Sequence, residues 1–117
     1  TERKTHISIA QLLSHPNIHV CMAAVAVVGN LAAHSLPTPE DEMFGPHRQT
    51  LVDFGMEQKL IGLAVMIVEE RPAAIDCSAA CRAIMSALML LATVSRPRPD
   101  KDLQELLYLL RCLSKNE

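Results

Sequence analysis

Cys77 and Cys81 stand four residues apart, so a helix through them sets both thiols on one face, where they could chelate a metal. The chain also holds five histidines. A structural zinc site needs four converging ligands, however, and His15 and His19 are parted by Pro16, which breaks a helix between them. No consistent ligand set emerges, so the thiols are expected to be buried small hydrophobes, with no metal and no cofactor. Serine, cysteine and histidine are all present for nucleophilic catalysis, but there is no GxSxG turn or other nucleophile elbow. No catalytic residue is assigned, and the chain is expected not to be an enzyme.

Two further groups of polar residues are candidate contacts. Asn30 lies between Gly29 and Leu31 in an apolar run, where an unsatisfied amide costs about 1–3 kcal/mol, so it is expected to bond something. A neighbouring backbone group is the simpler partner, and a ligand in a groove is the alternative. Glu40, Asp41 and Glu42 form an acidic cluster in a proline-rich stretch; they read as solvated loop charges, with a docking segment for a basic partner as the alternative. Glu69, Glu70 and Arg71 read as solvated helix-end charges.

Composition narrows the function classes. The formal charge of −2 creates no field to gather phosphates, and Phe44, Phe54 and Tyr108 are too few aromatics for base stacking, so nucleic acid is not an expected partner. At 117 residues the chain is read as one domain, able to bury roughly two-thirds of its unfolded surface. Its apolar half is built from Leu, Val, Ile, Ala and Met, a palette that favours close-packed helices. Cys21, Cys77, Cys81 and Cys112 fall in apolar or helical runs rather than glycine-rich loops, which points to a reducing compartment, cytosol or nucleus. The longest nearly uncharged runs, 20–33 and 83–94, are shorter than the roughly 18–20 residues that span a bilayer, so no membrane is expected. The start at Thr1, with no signal peptide, reads as a piece of a longer protein.

The elements that position these residues are read as helices. A first helix is expected over 6–14 with Ile7, Leu12 and Leu13 inward, closed by Pro16. A second, over 17–33, is apolar nearly all round and therefore central. Three prolines and a glycine mark a loop over 35–46, and a short helix over 47–54 ends at Gly55. Met56, Leu60, Leu63, Ala64 and Ile67 trace one face of the next helix, which Pro72 stops or restarts. A long buried helix is expected over 74–94. A stiff corner follows, with Asp100 as cap of a last helix whose stripe is Leu103, Leu106, Leu107, Leu110 and Leu113. The runs 60–68 and 24–28 also suit buried strands, and helix is preferred because helix formers flank both.

A shift of 60 positions aligns Cys21 with Cys81, Ala23 with Ala83, Leu31 with Leu91, Ala32 with Ala92 and Ser35 with Ser95, so two helices follow one pattern. HPNIHVCMAAVAVVGNLAAHS resembles the last, longest helix of an armadillo repeat, and LVDFGMEQKLIGLA resembles the glycine-marked junction opening the next; together the resemblance runs from Gln11 to Ser95. It implies an all-α fold, a short right-handed armadillo/HEAT-like stack of about six helices in a single domain, 1–117, and a non-enzymatic scaffold for protein binding. The family's third-helix asparagine, which often binds a peptide backbone, matches Asn30, but the second unit carries Leu90 there, so a ladder of such asparagines is missing. Expected partners are another protein or a second copy of the chain, met through the helical surface, with no small-molecule substrate. The candidate contacts are Asn30, Glu40, Asp41, Glu42, Tyr108 and Leu109, the last two on an outer side of the end helix that nothing later in the chain covers. The alternatives are a small α/β nucleotide-binding or enzymatic domain, with AVAVV as a strand running into Gly29 and Asn30, and a helical oligomerisation bundle.

Overall fold

A computed structural model describes residues 2–34, 51–93 and 97–115. Among these, all regular structure is helical: α1 (Glu2–Leu13), α2 (Ile18–His34), α3 (51–53 within the described residues), α4 (Met56–Glu70), α5 (Cys77–Leu91) and α6 (Asp100–Lys115). The runs 24–28 and 60–68 lie inside α2 and α4, which removes the strands that the α/β reading needs.

Each break has a local cause. After α1 the Ser14 and His15 N–H groups donate back to the Gln11 and Leu12 carbonyls at 3.1 Å each, and Pro16 prevents continuation. Asn17 then caps α2: its Oδ1 accepts from the His19 N–H at 2.9 Å while its carbonyl takes the first helical bonds from Val20 and Cys21. Gly55 joins α3 to α4 at φ 75°, a left-handed conformation that side chains disfavour. Its N–H donates to Val52 and its carbonyl accepts from Lys59 at 3.2 Å, so one residue ends one helix and opens the next.

Arg71 terminates α4 in the same left-handed region, φ 47°, with its N–H on the Ile67 carbonyl at 2.9 Å. The helix expected from 74 begins instead at Cys77, because Asp76 Oδ1 accepts from the Ala79 N–H at 3.2 Å and so sets the cap there. Asp100 likewise lies inside the first turn of α6: the Asp102 and Leu103 N–H groups donate to the Pro99 carbonyl, which holds the cap position expected of Asp100. The expected loop over 35–46 and the end of the fourth long run at 94 lie outside the described residues.

Packing follows the hairpins. α1 lies against α2 and α4 against α5, while α1 also contacts α4, α2 contacts α5, and α6 rests on α4. The core runs through Ile9 and Leu13 of α1, Val25, Val28 and Ala32 of α2, Leu60, Ala64 and Ile67 of α4, and Ile84 and Leu91 of α5, all buried. Three expectations change here. Leu12 is 41% exposed and Ile9 takes the inward place, one turn before Leu13. α2 is not buried all round, since Ala23, Ala26, Val27 and Asn30 are exposed on the face away from α1 and α5. Leu31 is only half-buried, whereas its counterpart Leu91 is fully enclosed.

Candidate functional site

α6 is held on α4 by polar groups that sequence reading missed. Gln58 Nε2 of α4 donates to Asp102 Oδ2 of α6 at 2.8 Å, and Asp102 is buried. Two residues before α6, Arg98 forks onto Glu57: Nη2 reaches Oε1 at 3.1 Å and Nε reaches Oε2 at 3.3 Å. The same Nη2 donates to the Leu91 carbonyl at 3.3 Å. The Glu57 side chain is 10% exposed and that of Arg98 19%, so each charge needs the other. This clamp ties the end of α5, the start of α4 and the corner before α6 into one block. It borders a recess of about 340 Å³ near Val52, Gly55 and Pro97, where the strongest charges are already spent on each other.

With its inner side fixed in this way, α6 presents two different faces. Leu109 is completely buried and Leu106 and Leu113 are half-buried, in line with Asp102. The expectation that Leu109 lies on the outer side is therefore corrected: it sits one helical face round, over α4. Leu103, Leu107 and Leu110 are 48%, 55% and 51% exposed, which also corrects their assignment to the buried stripe. These three recur at the i, i+4, i+7 spacing of one helix face. Beside them, Met89 of α5 is 71% exposed, and a groove of about 530 Å³ runs between α5 and α6 past Arg82, Met85, Met89, Leu110 and Leu113. Single exposed apolar residues are ordinary, but three large ones along one helix face, the last of them sharing a groove with a fourth, have the character of a contact surface.

Tyr108 is 41% exposed on another flank of α6, beside a shallow groove lined by Val65, Glu69 and Lys101. Its hydroxyl is held above the usual phenol range by a hydrogen bond with the Cys112 thiol and by the nearby Glu69 carboxylate. Asn30 is exposed on α2, so its amide carries no burial cost and the requirement for a protein partner falls away. Tyr108 and Asn30 lie on different helices, and Glu40, Asp41 and Glu42 lie outside the described residues.

None of the four cysteines is joined in a disulfide. Burial pushes the Cys21 thiol up from its ordinary range, and its Sγ donates to the His15 carbonyl at 3.0 Å, which also favours the protonated form. Burial also raises Cys81, with Cys77 and Cys112 adding to the effect and the Arg71 guanidinium opposing it. Cys77 donates to the Pro72 carbonyl at 3.6 Å and shares with Cys81 a void of only about 30 Å³. His15 Nδ1 accepts from the Asn17 N–H at 3.0 Å, and His19 is exposed. Among the described residues no group of three or more metal-ligating side chains converges, and no helix is long and apolar enough to cross a membrane.

The apolar face of α6 was partly legible. Leucines at 103, 106, 107, 109, 110 and 113 exceed what one buried stripe can hold, and that excess is the available signal. The Glu57–Arg98 clamp spans 41 positions and leaves no trace in local spacing. Comparison of the chain with protein-family models, curated proteins and solved structures returned no match.

Proposed function

We propose that this chain is a non-enzymatic protein-interaction module, built as a short right-handed stack of armadillo/HEAT-type helical units, whose binding face is the outer side of α6 with the adjoining edge of α5. The observation that carries the reading is the exposure of Leu103, Leu107, Leu110 and Met89, large apolar groups that water solvates poorly. The pairing of helices supports the stacked arrangement: first helix lies on first helix, α1 on α4, and second on second, α2 on α5, in keeping with the 60-position self-match. Cysteines outside any disulfide, two of them buried, fit a reducing compartment such as the cytosol or nucleus.

Photo-crosslinking in cells tests this reading. A photoreactive residue is placed at Leu107 in one variant and at Asn30 in another. Protein adducts formed at 107 and not at 30 support the α6 face. Adducts at 30 alone indicate binding across α2, as in the family that the sequence resembles, and adducts at neither position count against a protein-binding role.

A further inference from the structure

We infer that the exposed face of α6 is the seat of a second copy of the same chain, in a two-fold dimer whose α6 helices lie side by side and antiparallel. This rests on the interaction reading above and names its partner.

The helix rows fix the direction of the occupant. α5 lies on both α2 and α4, and α6 lies on α4. A helix laid over Met85, Met89 and Leu110 extends the row formed by α2 and α5, and it runs antiparallel to α6 as α5 runs antiparallel to α4 across their short corner. A second copy related by a two-fold axis brings its own α6 in that direction, and each α6 then fills the groove of the other.

The leucine spacing suits that symmetry. With the axis beside Leu107, Leu107 meets its own copy and Leu103 meets Leu110 of the second copy, since helix residues advance by about 1.5 Å each. All three are about half exposed, at 48–55%, in the single chain.

The charges agree as well. Asp100 is exposed at the start of α6, Arg111 is exposed near its end, and Arg82 lines the groove beside Leu110. Antiparallel pairing brings Asp100 of each copy to Arg111 of the other and sets the helix dipoles head to tail. Parallel pairing sets Arg111 against Arg111. Neighbouring charges do not disturb this: Asp102 is turned inward onto Gln58, and Lys101 lies on the opposite flank with Glu69. A face about 24 Å long and about 10 Å wide covers about 240 Å² on each copy, about 480 Å² over both, the size of a weak and transient contact, so the dimer is a weak one.

Sedimentation velocity of the full chain across a concentration series reads the result directly. The expected outcome is a reversible monomer–dimer equilibrium that Leu107→Lys weakens at least about tenfold, with helix content unchanged by circular dichroism because the residue is exposed. Arg111→Asp weakens it several-fold, and adding Asp100→Arg to that variant restores it. A chain that stays monomeric throughout, or a dimer indifferent to Leu107→Lys, overturns the inference. Leu110→Lys gives the same reading should Leu107→Lys lose helix content. Dimerisation that the charge reversal fails to restore overturns the antiparallel register. If the chain is monomeric yet the adducts at position 107 contain a different protein, this inference fails while the interaction reading stands.

Discussion

Gly55 concentrates two helix ends in one residue. At φ 75° any side chain is strained, yet an added Cβ meets nothing closer than Gln58 Oε1 at 3.5 Å, so the cost of Gly55→Ala is conformational rather than steric. It is expected to lower stability by about 1 kcal/mol, seen as a shifted urea midpoint with unchanged slope. The thiols give a second expectation at this scale. Cys21 and Cys81 hold their protons more tightly folded than unfolded, so their contribution to stability is complete below the unfolded thiol pKa. Above about pH 8.5 the unfolded chain releases those protons first and stability falls with rising pH. Urea unfolding at neutral and alkaline pH checks the sign, and in a Cys21→Ala, Cys81→Ala variant the alkaline loss should shrink.

At the scale of elements, the corner between α5 and α6 depends on a single guanidinium. Arg98 neutralises Glu57 and occupies the Leu91 carbonyl, so Arg98→Leu strands a nearly buried carboxylate at the start of α4. The expected loss is about 2–3 kcal/mol, and Glu57→Gln combined with Arg98→Leu should recover part of it, since no charge is then left unpaired. The rotation of α6 about its own axis is set in the same region. The Gln58–Asp102 bond points Asp102 inward, and Leu106, Leu109 and Leu113 follow it round the helix. Leu109→Lys is therefore expected to unfold the protein, whereas Leu107→Lys leaves helix content intact; thermal unfolding followed by circular dichroism separates the two.

Across the whole molecule, the two matching leucines of the 60-position repeat are not equivalent. Leu91 is fully enclosed near the Arg98 corner, and Leu91→Ala is expected to cost about 2–5 kcal/mol. Leu31 is half-buried on a helix with one open face, so Leu31→Ala is expected to cost about 1 kcal/mol. Chemical denaturation of the pair tests whether the two halves of the stack contribute unequally. The open side of α2 and the outer side of α6 leave apolar groups in water at two separate places, and those on α6 are the larger and border a groove.

What the sequence determined by itself is the set of helices and most of their breaks. Apolar spacing at 56–67 marked α4, Pro16 and Pro72 stopped α1 and α4, and Gly55 marked a junction, because these signals act within a few residues and depend on backbone geometry alone. The caps at Asn17 and Asp76 are as local, each a side-chain oxygen meeting an N–H two or three residues on, yet neither was read as a cap, and the helix expected from 74 starts at Cys77. Tertiary structure decided which side of each helix turns inward. Leu12 gave way to Ile9, and α6, apolar on two faces, had no single phase that spacing could select. That choice rests on Gln58 meeting Asp102 and on Arg98 meeting Glu57, contacts between residues more than forty positions apart, and helical periodicity carries no information about pairs so distant.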